Sequence, residues 1–137
     1  MMNRDIVPLP KRWPSENWQS TWVPGVRVGN IVYVSGITAT DESGRPVGIG
    51  DIRAQAERCF AKLQDVLGRA GGGLDRVVKL TTYLAASVDA DGVAAYFDVR
   101  QSFFGRHGVA STGINVHSLR RPEYLIEIDA IAHLKDA

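Results

Sequence analysis

The sequence predicts a single domain in which strands and helices are mixed, and three stretches carry that reading. Residues 124–134 alternate apolar positions (Tyr124, Ile126, Ile128, Ala130, Ala132, Leu134) with a second set that includes Glu127, Asp129 and His133. That is the pattern of a strand with one face in a core. From residue 52 to residue 70, Ile52, Ala56, Cys59, Phe60, Leu63, Val66, Leu67 and Ala70 recur at three- and four-residue steps, which makes one apolar helical stripe. Residues 23–28 and 31–35 flank Gly29-Asn30, a hairpin signal. At 137 residues the chain fits one domain, 1–137, with a real core.

The remaining elements follow in order. Residues 1–20 carry Pro8, Pro10 and Pro14 and no sustained period, so they read as an extended, irregular lead-in. Trp13, Trp18 and Trp22 fall in or beside it and are expected to pack over a core edge or a pocket mouth. After the strand pair comes a turn at residues 41–46, then the long helix, with Asp51 as N-cap and Gly71 to Gly73 as its stop. Residues 77–85 read as a strand, with Val78, Leu80, Thr82 and Leu84 on one face. A second helix is expected from about 91 to 105, with Tyr96, Phe97 and Arg100 near one side and Tyr96 and Phe97 in the core. Residues 111–118 form another strand, with Ile114 and Val116 inward and Ser111, Gly113, Asn115 and His117 opposite. That second face is expected to be partly buried between subunits.

Composition excludes more than it assigns. The net charge of +1 and the lack of any Lys/Arg-rich block argue against nucleic acid or an anionic membrane as partner. A single cysteine, Cys59, allows no internal disulfide and no Cys-based zinc site, and it fits a reducing, cytoplasmic setting. No run approaches a membrane span, and the first residues lack a signal peptide's apolar core. No phosphate-binding Gly-rich loop or nucleophile elbow is present, so no cofactor is implied. His117 and His133 could in principle approach each other beside Glu127 or Asp129, but they lack compact ligand spacing, so no metal is expected. His107, at a helix end, reads as a cap.

Glu127 and Asp129 stand together on an otherwise apolar strand, and the residues around them are informative. The runs Trp22-Val-Pro-Gly-Val-Arg-Val-Gly-Asn-Ile-Val-Tyr-Val-Ser-Gly36, Asp51-Ile-Arg-Ala-Gln-Ala-Glu57, Val77-Val-Lys-Leu-Thr-Thr-Tyr-Leu84 and Ile126-Glu-Ile-Asp-Ala-Ile-Ala132 resemble the YjgF/RidA (Rid) family, in order and in spacing, from about residue 20 to the end. The resemblance implies an α+β fold, a chorismate-mutase-like mixed sheet with two helices on one face. It also implies a homotrimer with a small-molecule substrate in each inter-subunit cleft. The well-studied branch hydrolyses reactive enamines and imines, such as 2-aminoacrylate, to a keto acid and ammonia. By the same resemblance, Glu127 stands near the water that attacks the imine, Ser35 and Gly36 help line the pocket, and Trp22 takes the place of an aromatic residue that covers the ligand.

One departure qualifies the likeness. The deaminase branch grips the substrate carboxylate with an arginine early in the strand after the second helix, and that position is Ser111 here. Gly113 stands where a cysteine often follows, and Phe97 stands for an asparagine common in the second helix. A hydroxyl carries no charge and cannot form the bidentate fork. The resemblance therefore implies an arginine-lacking branch with a more apolar and aromatic pocket, in which Ser111 hydrogen-bonds the ligand. The leading expectation is a hydrolase of C=N bonds. The alternative is a non-catalytic trimer that binds a small molecule or acts in a chaperone-like way. Arg27, Arg120 and Arg121 are expected to be solvated.

Overall fold

The computed structural model describes residues 4–7 and 22–135. Trp13 and Trp18, and with them Pro8, Pro10 and Pro14, lie outside the described residues. The described elements are strands β1 (Asp5–Ile6), β2 (Gly25–Val28) and β3 (Ile31–Thr38), helix α1 (Ile52–Ala70), strand β4 (Val77–Ala85), helix α2 (Ala90–Phe104), and strands β5 (Ala110–Val116) and β6 (Ile126–His133). They form a six-stranded sheet in the order β1-β2-β3-β6-β4-β5. Only β4 and β5 run parallel; every other pair is antiparallel, so the sheet is mixed. The parallel pair is the one joined by a helical crossover, α2, as parallel strands require.

Local chemistry sets the ends of both helices. The Asp51 carboxylate accepts the Ala54 N–H at 3.1 Å and opens α1. Gly71, at φ 96°, closes it in the left-handed region where a side chain would be strained. Asp89 does for α2 what Asp51 does for α1, accepting Gly92 N–H at 2.8 Å. The stripe of α1 packs on one sheet face against Val32, Val34, Leu80, Ile126 and Ile128, all buried. Phe60 is the hub of this core, with ring centroids 6.1 Å from Tyr96, 5.5 Å from Phe103 and 5.6 Å from Phe104.

Four local expectations need correction. Asp5–Ile6 in the lead-in is a short strand paired with β2. Val78 does not share a face with Leu80: the register shifts between Val77 and Lys79, which buries Val77 and leaves Val78 49% exposed. Ile114 does not point into the core. In the β4–β5 register, Ser111 lies beside buried Leu80 and Gly113 beside buried Thr82, while Ile114 lies beside Tyr83 on the helix-free face and is 43% exposed. Alternation alone names two faces without saying which is inside, and β5 is an edge strand where burial is weak on both. Phe97 is also outside the core, at 53% exposure, although Tyr96 is inside.

Candidate functional site

The helix-free face of the sheet gathers the polar chemistry. In the β4–β6 register Tyr83 lies beside Glu127 and Thr81 beside Asp129, so both carboxylates rise from the face opposite α1 and α2. Tyr83 donates its hydroxyl to Asp129 Oδ2 at 3.0 Å. On the other side of β6, the β3–β6 register shifts between Val34 and Ile37, a bulge that contains Ser35 and Gly36. Glu127 folds over that bulge. A Cβ at Gly36 would stand 2.9 Å from Glu127 Oε2 and 3.1 Å from its Cδ, so the glycine is what lets the carboxylate lie there.

The electrostatics of Glu127 follow from this seat. Burial raises its pKa above the usual carboxylate value, the negative charge of Asp129 raises it further, and Arg120 pulls it back. A carboxyl group whose pKa is raised beside an open face is suited to taking and returning a proton. Tyr83 is raised as well: its hydrogen bond to Asp129, with burial and the nearby carboxylates, lifts its pKa, so it remains a donor.

Gln55 of α1 fixes the start of β6 from beneath. Its buried side chain donates Nε2 to the Glu123 carbonyl at 2.8 Å and accepts the Leu125 N–H on Oε1 at 2.8 Å. Lys62 of α1 is likewise buried, donating to the Thr38 carbonyl at 2.7 Å and Thr40 Oγ1 at 2.6 Å under the strand that borders Glu127. Burial lowers its pKa to about 8. Burial above all pushes the neighbouring Cys59 thiol up to about 12, which makes it an inert core residue.

The expected site residues divide into two groups. Glu127 and Gly36 are in contact, and Ser35 adjoins them, its hydroxyl tied to the Val23 carbonyl at 2.5 Å. Trp22, 37% exposed, lies at the start of the same segment. Ser111 and Gly113 stand elsewhere, on the helix-ward side of the edge strand β5, and the Ser111 hydroxyl accepts from Arg100 Nη1 of α2 at 2.9 Å. Sequence reasoning missed Tyr83, Gln55 and Arg100. Strand alternation could have placed Tyr83 with Glu127, but no spacing links α2 to β5 across the loop between them. Arg120, expected to be solvated, is exposed and acts electrostatically on Glu127. His107 is not a simple cap: its Nε2 hydrogen-bonds the Val77 carbonyl at 2.7 Å and its ring stacks on Phe104. Among the described residues no group of three or more His, Cys, Asp or Glu could hold a metal ion, and no helix is long and apolar enough to cross a membrane.

Comparison with known proteins agrees with this architecture. A family model described as endoribonuclease L-PSP matches residues 16–134. The 3-aminoacrylate deaminase RutC of Acinetobacter baylyi is 33% identical over 133 residues, covering 97% of this chain and 100% of that protein. A RutC family protein of Pyrococcus abyssi is 32% identical over 108 residues, 79% of this chain and 82% of the relative. Among solved structures, RidA from an Antarctic Psychrobacter superposes with a TM-score of 0.80 at 25% identity, covering 95% of this chain and 100% of that one. A Mycobacterium tuberculosis member of the YjgF/YER057c/UK114 family gives 0.78 at 26% identity over 96% and 100% of the two chains. With its mixed sheet, two helices and a family model spanning most of its length, the chain belongs to the YjgF/RidA family.

Proposed function

We propose that this protein hydrolyses the C=N bond of a small, reactive imine or enamine and releases ammonia. The observation that carries the reading is Glu127, a carboxylate seated over the Gly36 bulge with its pKa raised. The deaminase activity in the name of the Acinetobacter relative supports the same chemistry. Glu127 takes a proton from water as the oxygen adds to the imine carbon. It hands that proton to the nitrogen to give a carbinolamine, then moves the carbinolamine hydroxyl proton to the same nitrogen as the C–N bond breaks, so that ammonia leaves behind a carbonyl product. Trp22, Ser35 and Gly36 line the pocket beside it, and Ser111 and Gly113 complete it. No cofactor takes part.

The site is a cleft between subunits of a homotrimer. Tyr33, Val78 and Ile114 are 48%, 49% and 43% exposed, more apolar surface than a lone subunit has reason to show to water. Ser111 and Glu127 also rise from opposite faces of one sheet, so a pocket that uses both draws them from two copies. A clean monomer by light scattering at micromolar concentration would remove a wall of the pocket and sink this arrangement.

The test of function is ammonia release from imines generated freshly by an amino-acid oxidase, with aliphatic and aromatic side chains. Turnover lost in Glu127→Gln supports the enzyme. Ligand-dependent thermal stabilisation without turnover would replace it by a non-catalytic small-molecule-binding trimer. RNA cleavage, the activity in the family model's description, is disfavoured by a net charge of +1; cleavage that is abolished by the same substitution would reverse that judgement.

A further inference from the structure

We infer that Arg100 is the residue that recognises an anionic group on the ligand, and that the group is a single carboxylate; this rests on the cleft proposed above. Arg100 emerges from α2 beside the edge strand β5. Its Nη1 donates to Ser111 Oγ at 2.9 Å and to the Tyr96 hydroxyl at 3.3 Å, and its guanidinium carbon lies 5.6 Å from the centroid of the exposed Phe97 ring. Tyr96 is itself held by Thr82 at 2.5 Å, so the arginine is aimed from a buried anchor.

All of these partners are neutral. Among the described residues Arg53 meets Asp98, Arg69 meets Asp65 and Arg121 meets Glu123, while Arg27, Arg58 and Arg76 donate to backbone carbonyls. Arg100 meets no carboxylate among the described residues, and both of its hydrogen bonds use Nη1, which leaves the Nε and Nη2 donors of the fork for something else. A half-buried guanidinium stacked on an aromatic ring and positioned by hydroxyls is built to take a planar anion in two parallel hydrogen bonds. β5 pairs only with β4 among the described residues, so alternate backbone N–H groups along its outer edge are further donors. A single guanidinium matches a monoanion better than a phosphate dianion, and Lys79 is committed to Thr112 on the opposite face. Ser111 fits this role for steric and electrostatic reasons: a larger or cationic side chain there would displace the Arg100 fork. The cleft thus obtains its cation from the helix rather than from the strand.

The probe is pyruvate, a carboxylate-bearing carbonyl product, compared with the neutral pyruvamide, by equilibrium titration of the full chain at its native oligomeric state. Wild type should bind pyruvate more tightly than pyruvamide. Arg100→Met, which keeps the apolar stem over Phe97, should weaken pyruvate by about tenfold to a hundredfold and leave pyruvamide unchanged. Arg100→Lys, the variant for use should the methionine fail to fold, keeps the charge, loses the fork and should fall between them. A merely structural arginine would weaken both ligands alike. Equal binding of the two ligands by wild type, or pyruvate binding unaffected in either variant, overturns the inference. Arg100-dependent pyruvate binding in a protein that turns over no imine would leave this inference standing and fell the catalytic one. Turnover that depends on Glu127 but not on Arg100 would do the reverse.

Discussion

The two faces of the sheet are made from the same strands but obey different rules. On the covered face, Val32, Leu80, Ile126 and Ile128 meet the stripe of α1 and the aromatic cluster around Phe60, and nearly every position is buried. On the open face, Tyr33, Tyr83, Glu127, Asp129 and Ile114 mix apolar, aromatic and ionisable side chains at intermediate or full exposure. The covered face is set by burial, so its energetics are those of packing. The open face is set by what it must touch, and the tight fit of Glu127 over Gly36 serves a charge rather than the core. Substitutions on the two faces should accordingly separate stability from activity.

Phe60→Ala should have the largest effect on stability. It empties the centre of the aromatic cluster and should lower unfolding free energy by about 3–5 kcal/mol in a urea titration. A loss below about 1 kcal/mol would mean that the covered face is not the core. Gly36→Ala should do the opposite. The added methyl meets the far end of a flexible carboxylate, so stability should change by no more than about 1 kcal/mol while imine turnover falls by at least about tenfold. Equal losses in both properties would erase the distinction between the faces.

Smaller effects sharpen the electrostatics. Asp129 adds to the burial that raises the Glu127 pKa, so Asp129→Asn should move the acid limb of kcat/KM to lower pH, while burial keeps that limb above the ordinary glutamate value. A shift to higher pH would contradict the assigned cause. Ser111→Arg should have the smallest effect on stability. Ser111 is exposed within the subunit, so the new guanidinium beside Arg100 should cost under about 1 kcal/mol by screened repulsion, and by displacing the Arg100 fork it should lower rather than raise activity on 2-iminopropanoate. A gain of activity there would mean that the strand position is simply a lost arginine.

The covered face was legible in the sequence because burial leaves a period. The α1 stripe, its Asp51 and Gly71 caps and the alternation of β6 all appear where the residues placed them. On the open face, alternation grouped Glu127 with Asp129, and only the family resemblance pointed to Gly36 beside them. What was not legible depends on events that periodicity does not record. Two register shifts move Val78 out of line and create the Gly36 seat, and the sidedness of an edge strand cannot be read from alternation when neither face is deeply buried. Arg100 meeting Ser111 is a tertiary contact between a helix and the strand that follows it, invisible to any local pattern.

The most direct test of the central claim is the pH dependence of kcat/KM for imine hydrolysis in the wild type and in Glu127→Gln, with melting temperatures measured on the same samples. The folded pKa of Glu127 lies above its unfolded value, so its ionised form weakens the fold above that pKa, and the penalty disappears as pH falls below the unfolded value. Glu127→Gln should therefore melt at or above the wild-type temperature at pH 7. The wild type should show an acid limb above the ordinary glutamate range. The variant should lose the limb together with about a hundredfold or more of the rate. A stable Glu127→Gln that keeps both the rate and the limb would contradict the account, because the proton would then be carried by another group.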